Sequence, residues 1–170
     1  MGGAPITTVF IALMVLTTLL SLVIPGWYTD LLILPGGILM GILLSAIMPG
    51  GLLSLVFAGI FVWLLGSQLE GMMRPWHYVA VFLGAGVVGS LAATAAGGFG
   101  LGASFAAFGL AGAYAYILSH TAGPGPSMQW VFILLLINVV LSGFNIVSLA
   151  GMAGAFVAGL GITAAAGAGR

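Results

Sequence analysis

Long apolar runs punctuated by proline and glycine set the pattern of this chain. The first run, Ile6 to Ile24, is stopped by Pro25-Gly26, and Trp27, Tyr28 and Asp30 follow as an anchor at a membrane surface. Leu31 to Met48 is also apolar, but Pro35-Gly36-Gly37 interrupts it, so the pattern predicts short segments lying at the interface. A span from Ile38 to Met48 would have only about 11 residues, well below the ~20 needed to cross the hydrocarbon core. Pro49-Gly50-Gly51 opens a second spanning run, Leu52 to Leu69, followed by a solvent-facing loop from Glu70 to His77. Glu70 and Arg74 are four apart, so one more helical turn would set them on one face as a pair; the alternative is a solvated helix end.

Val79 to Ala96 gives a third span, in which Gly84, Gly86, Gly89 and Ser90 allow neighbouring helices to approach closely. Leu101 to Leu118 is the fourth, after the turn Gly97-Gly98-Phe99-Gly100. Gly123-Pro124-Gly125-Pro126 forms an abrupt loop, Trp130 to Leu141 the core of a fifth span, and Ser142 to Ser148 a connector. The sixth, Leu149 to about Gly167, carries Gly151, Ala155 and Gly159 at every fourth position, a close-packing face. The fold class expected is all-α: one domain over 1–170, a polytopic transmembrane bundle of about six spans.

Composition points the same way. With 62% hydrophobic and 2% charged residues the chain cannot cover itself with a polar surface, and its partner is the lipid bilayer. The long apolar runs exclude a barrel of alternating strands. Zero net charge without a basic cluster gives no sign of a nucleic-acid partner. Cysteine is lacking, which excludes disulfides and thiolate metal sites, and no cofactor or metal is expected. The N-terminus has no basic region and the first run is long for a signal sequence, so it reads as a first transmembrane helix. Arg74 and Arg170, the two basic residues, fall on the side of the N-terminus in a six-span topology, so both termini are expected in the cytoplasm.

The candidate chemistry centres on Ser104, a hydroxyl at the start of a helix of glycine, alanine and aromatic residues. Its plain role is a small packing residue bonding its own helix backbone. Three stretches suggest more. Gly50-Gly51-Leu52-Leu53 leads through Trp63-Leu64-Leu65-Gly66-Ser67-Gln68-Leu69-Glu70 to Arg74 and Tyr78. Gly102-Ala103-Ser104 precedes Phe108-Gly109-Leu110-Ala111-Gly112-Ala113. Asn145-Ile146-Val147-Ser148 leads to Gly154-Ala155-Phe156-Val157-Ala158-Gly159. In order, over about Pro49 to Gly159, these resemble the rhomboid family of intramembrane serine proteases: its second helix and closing Leu-Glu, its nucleophile helix, and the start of its last helix. The resemblance implies a rhomboid-like bundle with Ser104 as nucleophile and Glu70, Arg74, Gly109, Gly112 and Gly159 as structural residues.

The departures fall on the catalytic positions. Where the family has its general-base histidine, the flanking match puts Met152, whose thioether cannot take a proton from a hydroxyl. Where the second helix carries a histidine and an asparagine that stabilise the oxyanion, this chain has Ser54 and Ala58. The glycine after the nucleophile is Phe105, and the tryptophan–arginine pair of the first loop falls near Met40 and Gly41. His120 lies 16 positions after Ser104, roughly 24 Å along a helix, and His77 at the far end of the third span. Neither reaches a nucleophile that needs its base within about 3 Å. Removing the base from a serine protease costs on the order of a million-fold in turnover. The expectation is a pseudoprotease that binds transmembrane helices of client proteins without cutting them. The alternatives are an active intramembrane serine protease using Ser104, a structural or engineered scaffold whose polar site residues have been replaced by apolar ones, and a small transporter or channel. Against the last, the spans hold almost no ionisable groups, and Asn138, Ser142 and Asn145 are the few polar ones near the fifth.

Overall fold

The computed structural model describes residues 4–35, 37–98, 102–121 and 145–167, with residues 129, 132, 133, 136, 137, 139 and 140 between them. Seven helices are delimited, and no strand occurs among the described residues: α1 (Pro5–Val23), α2 (Trp27–Ile33), α3 (Gly37–Ser45), α4 (Leu52–Met72), α5 (Pro75–Ala95), α6 (Ala103–Thr121) and α7 (Ile146–Ala165). Proline opens α1 and α5 within their first turn, where its missing N–H costs nothing. Gly26, at a φ of 86°, turns the chain from α1 into α2, a conformation that side chains with a Cβ avoid. Asn145 caps α7, its side chain accepting from the Val147 N–H.

Four of these helices, α1, α4, α5 and α7, are long and apolar enough to cross a membrane. α2 and α3 are short, as the interrupted run predicts, and the Tyr28 hydroxyl ties them by donating to the Gly41 carbonyl at 2.9 Å. Partial burial raises the Tyr28 pKa above its ordinary value. The expected fifth span lies largely outside the described residues. α6 also has the length of a span, and its composition follows from its position: residues 105–115 are buried without a break, enclosed by α4, α5 and α7. A stretch buried on every side can be built of alanine and glycine.

Three expected boundaries are corrected. The loop placed at Glu70 to His77 contracts to Met73-Arg74, because α4 runs on to Met72 and Pro75 starts α5 four residues before Val79. α7 starts at Ile146 rather than Leu149, because the connector ends in the Asn145 cap.

Packing divides the bundle in two. α5, α6 and α7 touch one another most extensively, through glycines. A Cβ on Gly159 would land on the Gly109 carbonyl, and one on Gly112 on the Phe156 carbonyl, so α6 and α7 approach backbone to backbone. α1 and α4 form the other part, α1 leaning on α4 and α4 on α6, with little contact between α4 and α5. Phe10 of α1 stacks on Phe82 of α5 at 4.0 Å between ring centres.

Candidate functional site

Ser104 occupies the second position of α6, half-buried, and Ser54 the third position of α4. Their hydroxyl oxygens are 2.8 Å apart, a hydrogen bond across the two helix starts. The sequence reading expected Ser104 to bond a carbonyl of its own helix; its partner is instead the side chain of Ser54, the residue that the resemblance sets in the place of a histidine. Ala58, one turn further along α4, is buried in the main core cluster and serves as packing.

A serine protease needs a base for the nucleophile and donors for the developing oxyanion. Two amides beside Ser104 are already engaged: the Gly102 N–H donates to the Ser45 carbonyl at 2.7 Å and the Ala103 N–H to the Met48 carbonyl at 3.4 Å. These bonds pin the start of α6 to the end of α3 and the residues after it. Phe105 points the other way, 5% exposed, its ring filling the space left by Gly89 on α5 and Gly151 on α7. Met152 is buried with Phe105, Phe108, Ala85, Ala93 and Ala155 in one apolar cluster. At the positions that the resemblance assigns to the base and to the glycine after the nucleophile, this chain thus has packed apolar side chains.

No histidine or carboxylate bonds either hydroxyl among the described residues. His120 closes α6 at the other end, its Nδ1 2.8 Å from the Tyr116 carbonyl and 3.1 Å from Ser119 Oγ. The His77 ring lies against Trp76 in the first turn of α5. Asp30 is exposed on α2. No group of three or more metal-ligating side chains occurs among the described residues.

The expected pairing of Glu70 with Arg74 is not made. α4 ends at Met72, the backbone is extended at Met73 and Arg74, and Arg74 is exposed. Glu70 turns instead to the start of α1. Its Oε1 accepts from the Ile6 N–H at 2.9 Å, and its Oε2 from the Thr7 N–H at 2.9 Å and the Thr7 hydroxyl at 2.8 Å. The carboxylate thereby satisfies two amides that a helix start leaves unpaired and sits at the positive end of the helix dipole. Thr7 Oγ1 also lies 3.1 Å from the Tyr78 hydroxyl. A hydroxyl has one hydrogen, so with Thr7 donating to Glu70 it is Tyr78 that donates to Thr7. At the same end the Tyr114 hydroxyl donates to Gln68 Oε1 at 2.8 Å, tying α6 to α4. Sequence reasoning missed both ties, since each joins residues far apart in the chain.

The α1–α4 pair flanks an open apolar groove of about 440 Å³ between Ile11 and Val15 of α1 and Leu55, Val56, Gly59, Ile60 and Trp63 of α4. Gly59 belongs to its lining, with open space where a Cβ would project.

Comparison with protein-family models, with curated proteins and with solved structures finds no match in any of the three.

Proposed function

We propose that the chain is a rhomboid-like membrane protein with an inert protease site, which binds transmembrane helices of other proteins without cleaving them. In this reading it crosses the membrane six times, with both termini in the cytoplasm. The observation that carries the proposal is the pairing of Ser104 with Ser54: the partner of the candidate nucleophile is a second hydroxyl, which is too weak a base to take its proton. The amides engaged by Ser45 and Met48 and the apolar packing of Phe105 and Met152 support the same conclusion.

Client binding is supported by the groove between α1 and α4. Its apolar lining suits a ligand whose own polar groups are already satisfied, and the glycine in that lining lets a second helix approach closely. The test is titration of the purified, fluorescently labelled chain in liposomes with a panel of labelled single-span helices. Saturable energy transfer with some of them is expected, and it is expected to persist in Ser104→Ala. Transfer that never rises above random mixing in the bilayer would overturn the binding reading.

A further inference from the structure

We infer that the first six residues of α4, Leu52–Phe57, form a strap that closes over Ser104 and is latched by the Ser54 hydroxyl. The inference goes beyond the client-binding reading and stands or falls without it. Burial along α4 is uneven. Every buried residue of the helix lies from Ala58 onward, while Leu52, Leu53 and Val56 are 58%, 68% and 54% exposed. Of the six, only Leu55 packs against the main core cluster. The Leu52–Phe57 segment therefore has few apolar contacts to the rest of the bundle, the property that marks regions able to open locally while the rest of a fold stays intact.

Both ends of the segment are bounded by glycine. Gly50 and Gly51 precede it in open space, Gly51 with a φ of 139°, and Gly59 follows it with nothing near its missing Cβ. Glycine is the residue least costly to bend at and the poorest helix former apart from proline. The rest of α4 is anchored at the far end by Gln68 to Tyr114 and by Glu70 to α1. The strap therefore has pivots at its glycines, a fixed helix beyond Gly59, and one side-chain hydrogen bond to α6, from Ser54 to Ser104. Opening separates the two hydroxyls and uncovers Ser104 at the start of α6, so the same bond that occupies Ser104 also controls access to it.

The test uses the full chain in bicelles, spin-labelled at two exposed positions, Leu53→Cys on the strap and Thr94→Cys on α5, with distances measured by pulsed electron resonance. The native hydroxyls are expected to give one dominant distance. Ser54→Ala and Ser104→Ala each remove the latch and are expected to raise the open population about fivefold, the factor that one ordinary hydrogen bond governs. Ser67→Ala, whose hydroxyl bonds only Leu64 of its own helix, is expected to change nothing. A native distance distribution in a folded Ser54→Ala or Ser104→Ala chain overturns the proposal, as does a large change in one and none in the other. If Ser54→Ala does not fold, Ser104→Ala decides; failure of both to fold also overturns it, because loss of a strap leaves the bundle standing.

Discussion

Thr7 and Glu70, 63 residues apart in the chain, are joined by two hydrogen bonds to the same carboxylate oxygen, one from the Thr7 amide and one from its hydroxyl. Through them one of the two acidic residues of the protein fastens the first helix to the fourth. Glu70→Ala strips the cap from α1 and is expected to cost about 2–4 kcal/mol, more than a neutral helix cap because the acceptor is charged. Glu70→Gln keeps an acceptor and is expected to cost less, and Thr7→Val about 1 kcal/mol. Reversible unfolding in mixed micelles checks the order; equal stability of Glu70→Ala and the native chain would refute the clasp.

Two glycines on α7 separate packing from propensity. A Cβ on Gly159 meets the Gly109 carbonyl, whereas one on Gly161 meets nothing. Gly159→Ala is therefore expected to lose about 1–3 kcal/mol by forcing α6 and α7 apart. Gly161→Ala is expected to gain up to about 1 kcal/mol from helix propensity. Leucine at Gly109 or Gly159 should prevent the native packing altogether. Melting curves in detergent that failed to distinguish the two alanine variants would contradict the backbone contact between these helices.

Phe105 is a structural plug between α5 and α7. Phe105→Ala opens a cavity against Gly89 and Gly151 and is expected to cost about 3–5 kcal/mol without creating protease activity. Calorimetry and a cleavage assay on the same preparation check both halves; a stable variant that cleaves would show Phe105 to be what keeps the site silent.

The legible part of the fold was local. Proline and glycine pairs announced where α1 stops and α4 starts, and the interrupted run between them announced short segments, which the structure forms as the helices α2 and α3. Two of the three errors of boundary came from helix starts: Pro75 and Asn145 each start a helix in a stretch that reads as loop by polarity. Glu70 and Arg74 were spaced for a pair, but spacing cannot show that the helix ends at Met72 or that α1 offers unpaired amides nearby. Of the candidate site only residue type was legible: Met152 and Phe105 are apolar side chains, and both are packed in the core. The bond between Ser54 and Ser104 was not legible, because it depends on two helix starts meeting across 50 residues of chain.

The central claim, an unactivated Ser104, is tested most directly by exposing the purified chain in detergent to a fluorophosphonate, next to Ser104→Ala and an active rhomboid. The account predicts no adduct on either form of this chain and full labelling of the active enzyme. Labelling of the native chain that disappears in Ser104→Ala would contradict it, showing that a base reaches Ser104 after all.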